Sequence, residues 1–159
     1  EKFKVLQHPE MTEKLCKAMA ERFKDAQIET VVGPVTGGII LAHETGKFLG
    51  TRAIFTERVE GKMTFRRGFS LHAGERVLIV EDVVTTGGSV REVIDVVKEF
   101  GGNPVAVAML VDRSGGKANF GDVPSFSLLK MDVETYKPEE CPLCAKNIPL
   151  TKRGSTGKK

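Results

Sequence analysis

No stretch of this 159-residue chain approaches the ~18–20 consecutive apolar residues of a membrane-spanning helix, so no membrane role is expected. The first residues show no signal-peptide pattern. The chain opens at Glu1 rather than at a methionine, which reads as a trimmed or partial chain. Cysteine is scarce: Cys16, Cys141 and Cys144 make an odd count, and the expected setting is the reducing cytoplasm. Cys141 and Cys144 bracket a Cys-Pro-Leu-Cys turn, but structural zinc needs four ligands and no second pair exists. His8, His43 and His72 stand at no knuckle-like spacing. Two free thiols in a tight turn, or a disulfide between them, are the readings left open. Excess positive charge is missing where a nucleic-acid binder would need it. The net charge is +3, but five basic residues after Cys144 have no acid among them, and residues 1–144 carry 19 basic against 21 acidic groups. A basic nucleic-acid face on the body is therefore not expected.

The composition is 40% hydrophobic and 28% charged, ordinary for a globular protein, and the length suits one domain. Pro9 opens a helix over 9–23 in which Met11, Leu15, Met19 and Phe23 form an apolar stripe. A strand at 28–33 stops at Gly33-Pro34, and a helix comes next with Ile39, Ile40, Leu41 and Phe48 inward. Residues 52–57 read as a strand, and 58–68 have neither period and read as a loop or ribbon. A strand over 76–81 leads to a helix with Val90, Val93, Ile94, Val97 and Phe100 inward, ended by Gly101-Gly102. Strands at 104–112 and 125–130 complete the order. Alternating strands and helices with near-continuous apolar strands predict an α/β fold: a parallel twisted sheet with helices on both faces. With no repeat or linker in view, residues 1–150 read as one domain and 151–159 as a flexible basic tail. Ligands of such folds bind at the carboxyl ends of the strands. Here those ends are small-residue turns: 33–38, 81–89 and 112–116.

The stretch "VLIVEDVVTTGGSV" (77–90) carries the chemistry. Glycines between a strand and a helix let backbone N–H groups face a phosphate, and Thr85, Thr86 and Ser89 add hydroxyls. No lysine comes after the glycines as in a Walker A loop, and the dinucleotide Gly-x-Gly-x-x-Gly order is missing. Glu81 and Asp82 side by side are unfavourable next to a phosphate unless donors or a cation meet them. The vicinal hydroxyls of a ribose meet that need while the sugar's phosphate occupies the amide cradle.

These residues resemble the phosphoribosyl pyrophosphate signature of type I phosphoribosyltransferases, a Rossmann-like fold, and the resemblance extends from about Val5 to Arg153. Within that family the flanks are most similar to orotate phosphoribosyltransferases: "GPVTGGIILA", "FTERVEGKMTFRRGF", "TTGGSVREVI", "LVDRSGGK" and "YKPEECPLCAKNIPL". The resemblance implies transfer of ribose 5-phosphate from phosphoribosyl pyrophosphate to orotate, with Mg²⁺ as cofactor and no metal ligand from the protein. It implies that Glu81 and Asp82 hold the ribose hydroxyls and that Val83, Val84, Thr85, Thr86, Gly87, Gly88 and Ser89 cradle the 5-phosphate. Val35, Thr36, Gly37 and Gly38 would bind pyrophosphate, and Thr85 and Arg113 orotate. A salt bridge within the fold is the structural alternative for Arg113. A basic loop at 58–67 would close over a neighbouring subunit's site in a homodimer, with Arg58 and Lys62 reaching the substrate and Lys62 joining Glu81 and Asp82 in catalysis.

The sequence departs from the family in three places. The loop is short and lacks a histidine. Gly37 stands where some relatives place a lysine. "EKFKVLQHPE" resembles the stretch just after a serine-rich opening segment in relatives, so either residues precede it or base recognition differs. A purine phosphoribosyltransferase is the nearest alternative. A phosphoribosyl pyrophosphate-sensing regulator would want a basic nucleic-acid face, which the −2 body does not offer.

Overall fold

The computed structural model describes residues 1–134 and 136–149; the basic tail expected at 151–159 lies outside them. Helices α1 (Lys2–Leu6) and α2 (Pro9–Phe23) precede strand β1 (Thr30–Pro34). Helix α3 (Gly37–Leu49) leads to β2 (Arg52–Val59), which turns at once into β3 (Lys62–Phe65). Strand β4 (Arg76–Val84), helix α4 (Gly88–Glu99), β5 (Asn103–Asp112) and β6 (Ser125–Lys130) come next. A 3₁₀ turn (Pro138–Glu140) and α5 (Pro142–Ala145) come last among the described residues. The strands form one sheet in the order β3-β2-β1-β4-β5-β6, and every neighbouring pair is parallel except β2 with β3.

Both faces are covered, as the continuous apolar strands require. Side chains alternate across a strand, so each strand feeds two cores. Val31, Leu78, Val80, Ala106 and Ala108 meet Cys16 and Met19 of α2 and Leu41 of α3 on one face. Val32, Val77, Ile79, Val107 and Met109 meet Val90, Val93, Ile94 and Val97 of α4 on the other. Each buried Val, Leu, Ile or Met among them contributes about 1.5–3 kcal/mol by leaving water. β4 lies between β1 and β5 with nearly every residue buried, which makes it the rigid platform for its own carboxyl end.

Two details differ from the sequence expectation, and the choice between loop and ribbon at 58–68 is resolved. On α2 the buried positions are Thr12, Cys16, Met19 and Ala20; Met11 is exposed, and Leu15 and Phe23 are half-buried. On α3 Leu41 is buried, but Ile40 is exposed and Ile39 and Phe48 are half-buried, because Gly38, Ala42 and Thr45 take the inner face. The 58–68 segment is a ribbon: β2 continues to Val59 and pairs with β3, and the connecting Glu60 and Gly61 both have positive φ, 50° and 85°. Two such residues form the tight hairpin turn whose twist suits antiparallel strands.

Candidate active site

The three predicted turns lie at one edge of the sheet. At the first, Gly33 and Gly38 meet backbone to backbone: a Cβ on Gly33 would stand 2.1 Å from the Gly38 carbonyl oxygen. A cis peptide bond joins Val35 and Thr36 inside this turn. Helix α3 begins at Gly37 with no side-chain cap, and the Ile39 N–H donates to the Thr36 carbonyl at 3.3 Å, which leaves the amides of Gly37 and Gly38 without a helical partner. Gly37 also touches the second turn, since a Cβ there would stand 1.9 Å from Asp82 Oδ2. A lysine at position 37 would displace that carboxylate.

The second turn is shorter than the sequence suggests. Val83 and Val84 belong to β4, not to the turn; Val84 is buried, and the Val83 N–H donates to Asp82 Oδ1 at 2.6 Å. The turn itself is Thr85, Thr86, Gly87, Gly88 and Ser89, of which Thr85, Thr86 and Ser89 are exposed. Gly87 takes the left-handed conformation, φ 77°, at the N-cap of α4 and packs against Phe120. A side chain there would be strained by its backbone and would meet the Phe120 ring at 2.9 Å. No side chain caps α4. Its first amides and the positive end of its dipole face the edge where Thr85, Thr86 and Ser89 are exposed.

Glu81 and Asp82 are not a solvated strand end. They are 8% and 1% exposed inside β4. The Asp82 N–H donates to Glu81 Oε1 at 2.9 Å. Burial first, and then the negative charge of Asp82, push the Glu81 carboxyl up to about 8, against the opposing pull of the Asp82 N–H and Lys2. Lys2 Nζ donates to Asp82 Oδ1 at 3.0 Å and stands 2.8 Å from Oδ2, which has no partner in hydrogen-bond geometry. Asp82 Oδ2 is thus a desolvated acceptor short of a donor.

Beyond α4's N-terminus lies an open cleft of about 300 Å³ lined by Thr85, Thr86, Arg113, Ser114, Lys117 and Asp132. Thr85 and Arg113 are brought together as expected. The Arg113 backbone N–H donates to the Val84 carbonyl at 2.8 Å, while among the described residues its guanidinium makes no salt bridge. The salt-bridge alternative for Arg113 thus has no partner there. Ser114 N–H and Oγ both donate to Asp112 Oδ1, at 2.8 and 2.6 Å, which fixes the turn carrying Arg113. Lys117 ends the "DRSGGK" motif, and only its distance from the strand end hid it. Lys2 is the other residue the sequence did not reveal; 80 residues separate it from Asp82.

The basic ribbon rises from this same edge, since β2 runs parallel to β1 and continues past Thr56, the partner of Pro34, to its turn at Glu60 and Gly61, but two of its arginines are held by acids. Arg58 pairs with Glu92 of α4 at 2.7 Å and donates to the Gly61 carbonyl at 2.8 Å. Arg67 pairs with Glu57 at 3.0 Å. Arg58 and Arg67 are thus matched by acids outside residues 58–67. Lys62 is exposed at the ribbon's tip, opposite Val59. Cys141 and Cys144 are free thiols rather than a disulfide.

Comparison with known proteins agrees with this geometry. A phosphoribosyl transferase domain matches residues 4–127. The orotate phosphoribosyltransferase of Desulforamulus reducens is 56% identical over 151 residues, 95% of this chain and 78% of that protein. The orotate phosphoribosyltransferase of Thermotoga maritima is 49% identical over 156 residues, 98% of this chain and 83% of that protein. Among solved structures, adenine phosphoribosyltransferase from Rhodothermus marinus superimposes with a TM-score of 0.66 at 25% identity, covering 80% of this chain and 83% of that one. UMP synthase from Leishmania donovani gives 0.67 at 18% identity over 80% of this chain and 28% of that one, a likeness of fold. With about half its residues shared along nearly its whole length, the chain belongs to the orotate phosphoribosyltransferase family of phosphoribosyltransferases.

Proposed function

We propose that the chain transfers ribose 5-phosphate from phosphoribosyl pyrophosphate to orotate, giving orotidine 5′-monophosphate and pyrophosphate, a step of pyrimidine biosynthesis. One observation carries the residue assignment: two buried adjacent carboxylates lie between two uncapped helix N-termini. A sugar with phosphate groups at both ends and hydroxyls between them has the complementary order of charges. Glu81 and Asp82 accept from the ribose hydroxyls, Thr85 to Ser89 hold the 5-phosphate, and Val35 to Gly38 hold the pyrophosphate. The base nitrogen forms its bond to the anomeric carbon as the bond to pyrophosphate breaks, and the electron pair leaves with pyrophosphate. Catalysis is then alignment and neutralisation of the leaving group. Arg113 orients the orotate carboxylate through a bidentate fork, and Thr85 lies beside it.

Mg²⁺ enters this reading with the substrate. It prefers hard oxygens and keeps part of its water shell, so pyrophosphate oxygens suit it. Among the described residues no three His, Cys, Asp or Glu side chains cluster. When bound, Mg²⁺ supplies positive charge to the departing pyrophosphate.

The working unit in this reading is a cytoplasmic homodimer. Exposed Val35 within the pyrophosphate turn and Ile40 just after it offer apolar surface to a second copy. Lys62, with Arg58 released from Glu92, reaches the partner's site. No helix among the described residues is long and apolar enough to cross a membrane. The test is the loss of orotate absorbance with phosphoribosyl pyrophosphate and Mg²⁺, run beside adenine and xanthine. Turnover of a purine without turnover of orotate would overturn the assignment.

A further inference from the structure

Lys2 has no part in the function just described, yet it reaches Asp82 from outside β4 with a hydrogen bond and an ion pair. Its Nζ lies 2.8 Å from Oδ2, and the two side chains are 25% and 2% exposed. A half-covered ammonium thus reaches inward to a desolvated carboxylate. Helix α1 has an anchor of its own, because Leu6 is buried and its carbonyl accepts from Thr12 Oγ at 3.4 Å. The ion pair is therefore not what fixes α1, and burying one is a poor way to gain stability.

The surroundings say what the cation is for. The 33–38 turn contains glycine, proline, valine and threonine and brings no charge of its own. Its Gly37 lies against Asp82 Oδ2, so a pyrophosphate held by that turn would face a carboxylate across a glycine. The charges that act on Glu81 are those of Asp82 and Lys2. On the neighbouring strand Asp112 is already occupied by Ser114. Lys2 is the cation that the corner receives.

We propose that Lys2 is a positioning residue for the sugar acids: it holds Asp82 aimed across Gly37 before sugar arrives, then yields Asp82 to the ribose hydroxyls and turns to the pyrophosphate. This rests on the sugar-binding reading of Glu81 and Asp82 above.

The experiment is calorimetric titration of phosphoribosyl pyrophosphate from pH 6 to 9 into wild type, Lys2→Met, Lys2→Gln, Lys2→Arg and Asp82→Asn. Melting temperatures are recorded for each. Without the cation the acid pair retains a proton to higher pH, so binding by charged acceptors recovers only at higher pH. An opposite charge at this range moves a carboxylate by about one unit or more. The expected result for both Lys2→Met and Lys2→Gln is therefore an upward shift of the binding midpoint by about one pH unit and about tenfold weaker binding at pH 7. Lys2→Arg keeps the charge and should retain the wild-type midpoint. An unchanged midpoint in Lys2→Met and Lys2→Gln overturns the proposal, as does a Lys2→Arg variant as impaired as Lys2→Met. Asp82→Asn binding like wild type would instead bring down the sugar-binding reading itself, so the two failures are distinct.

Discussion

Two ends of one sheet hold buried acids on opposite terms. At the amino end Glu75 is 2% exposed, and the fold surrounds it with donors. Thr30 Oγ donates to Oε1, the His72 N–H donates to Oε2 at 2.7 Å, and Arg52 Nη2 stands 2.9 Å from Oε1. Burial pushes this carboxyl up, but those donors outweigh it and hold it below the usual carboxylate range. At the carboxyl end Glu81 and Asp82 are buried as deeply, yet their partners are the backbone beside them and one lysine. A buried acid fully met by its fold is a structural tie. A buried acid left short of donors marks where a ligand must bring them.

The largest expected effect concerns the ribbon that rises at the carboxyl end. Lys62→Ala and Asp82→Asn are each expected to be nearly inactive alone. Mixed under subunit exchange, they should regain activity in about one site in four, since sites shared across a two-fold recover both wild-type residues together. No recovery with exchange demonstrated would place Lys62 within its own chain's site or outside catalysis.

Next in size is Arg113→Ala, expected to raise the KM for orotate roughly 10- to 100-fold, the range for losing hydrogen bonds to a charged group. The KM for phosphoribosyl pyrophosphate should change far less. Equal losses with a lower Tm would make Arg113 a structural residue like Arg52.

The smallest effect is one of stability against pH. The folded pKa of Glu75 is lowered, so its contribution is present above about pH 4.5 and is lost as pH falls through the folded value. Glu81 is raised to about 8, so folding binds its proton more tightly, and stability falls as pH rises from about 4.5 toward 8. Glu81→Gln should therefore stabilise the protein by about 1–2 kcal/mol at pH 8 and by little at pH 5, at the expense of sugar binding. Thermal melts at the two pH values would show it; an equal shift at both would mean that Glu81 is not protonated at pH 5.

Much of this contrast was legible in the sequence, and the rest was hidden for definite reasons. The strands and α4 declare themselves because a sheet covered on both faces needs continuous apolar runs, and Val90, Val93, Ile94 and Val97 keep helical spacing. The stripe on α2 misled because steps of four residues advance about 40° each, so from Met11 to Phe23 it winds about 120° around the helix. Small Thr12, Cys16 and Ala20 share the inner face instead. The acids and glycines of 81–89 announced a ligand because no bland turn needs them. Lys2 gave no signal, since a cation 80 residues from its carboxylate has no local pattern. Glu92's pairing with Arg58 was hidden in the same way.

The most direct measurement compares Glu75→Gln with Asp82→Asn by Tm and by calorimetric affinity for phosphoribosyl pyrophosphate. The outcomes should cross. Glu75→Gln should lose about 3 kcal/mol of stability while its folded form binds like wild type, and Asp82→Asn should keep its Tm while binding roughly 10- to 100-fold more weakly. If Asp82→Asn unfolds and Glu75→Gln loses affinity, or if Asp82→Asn stays folded and binds unchanged, the carboxyl-end acids are not the sugar site.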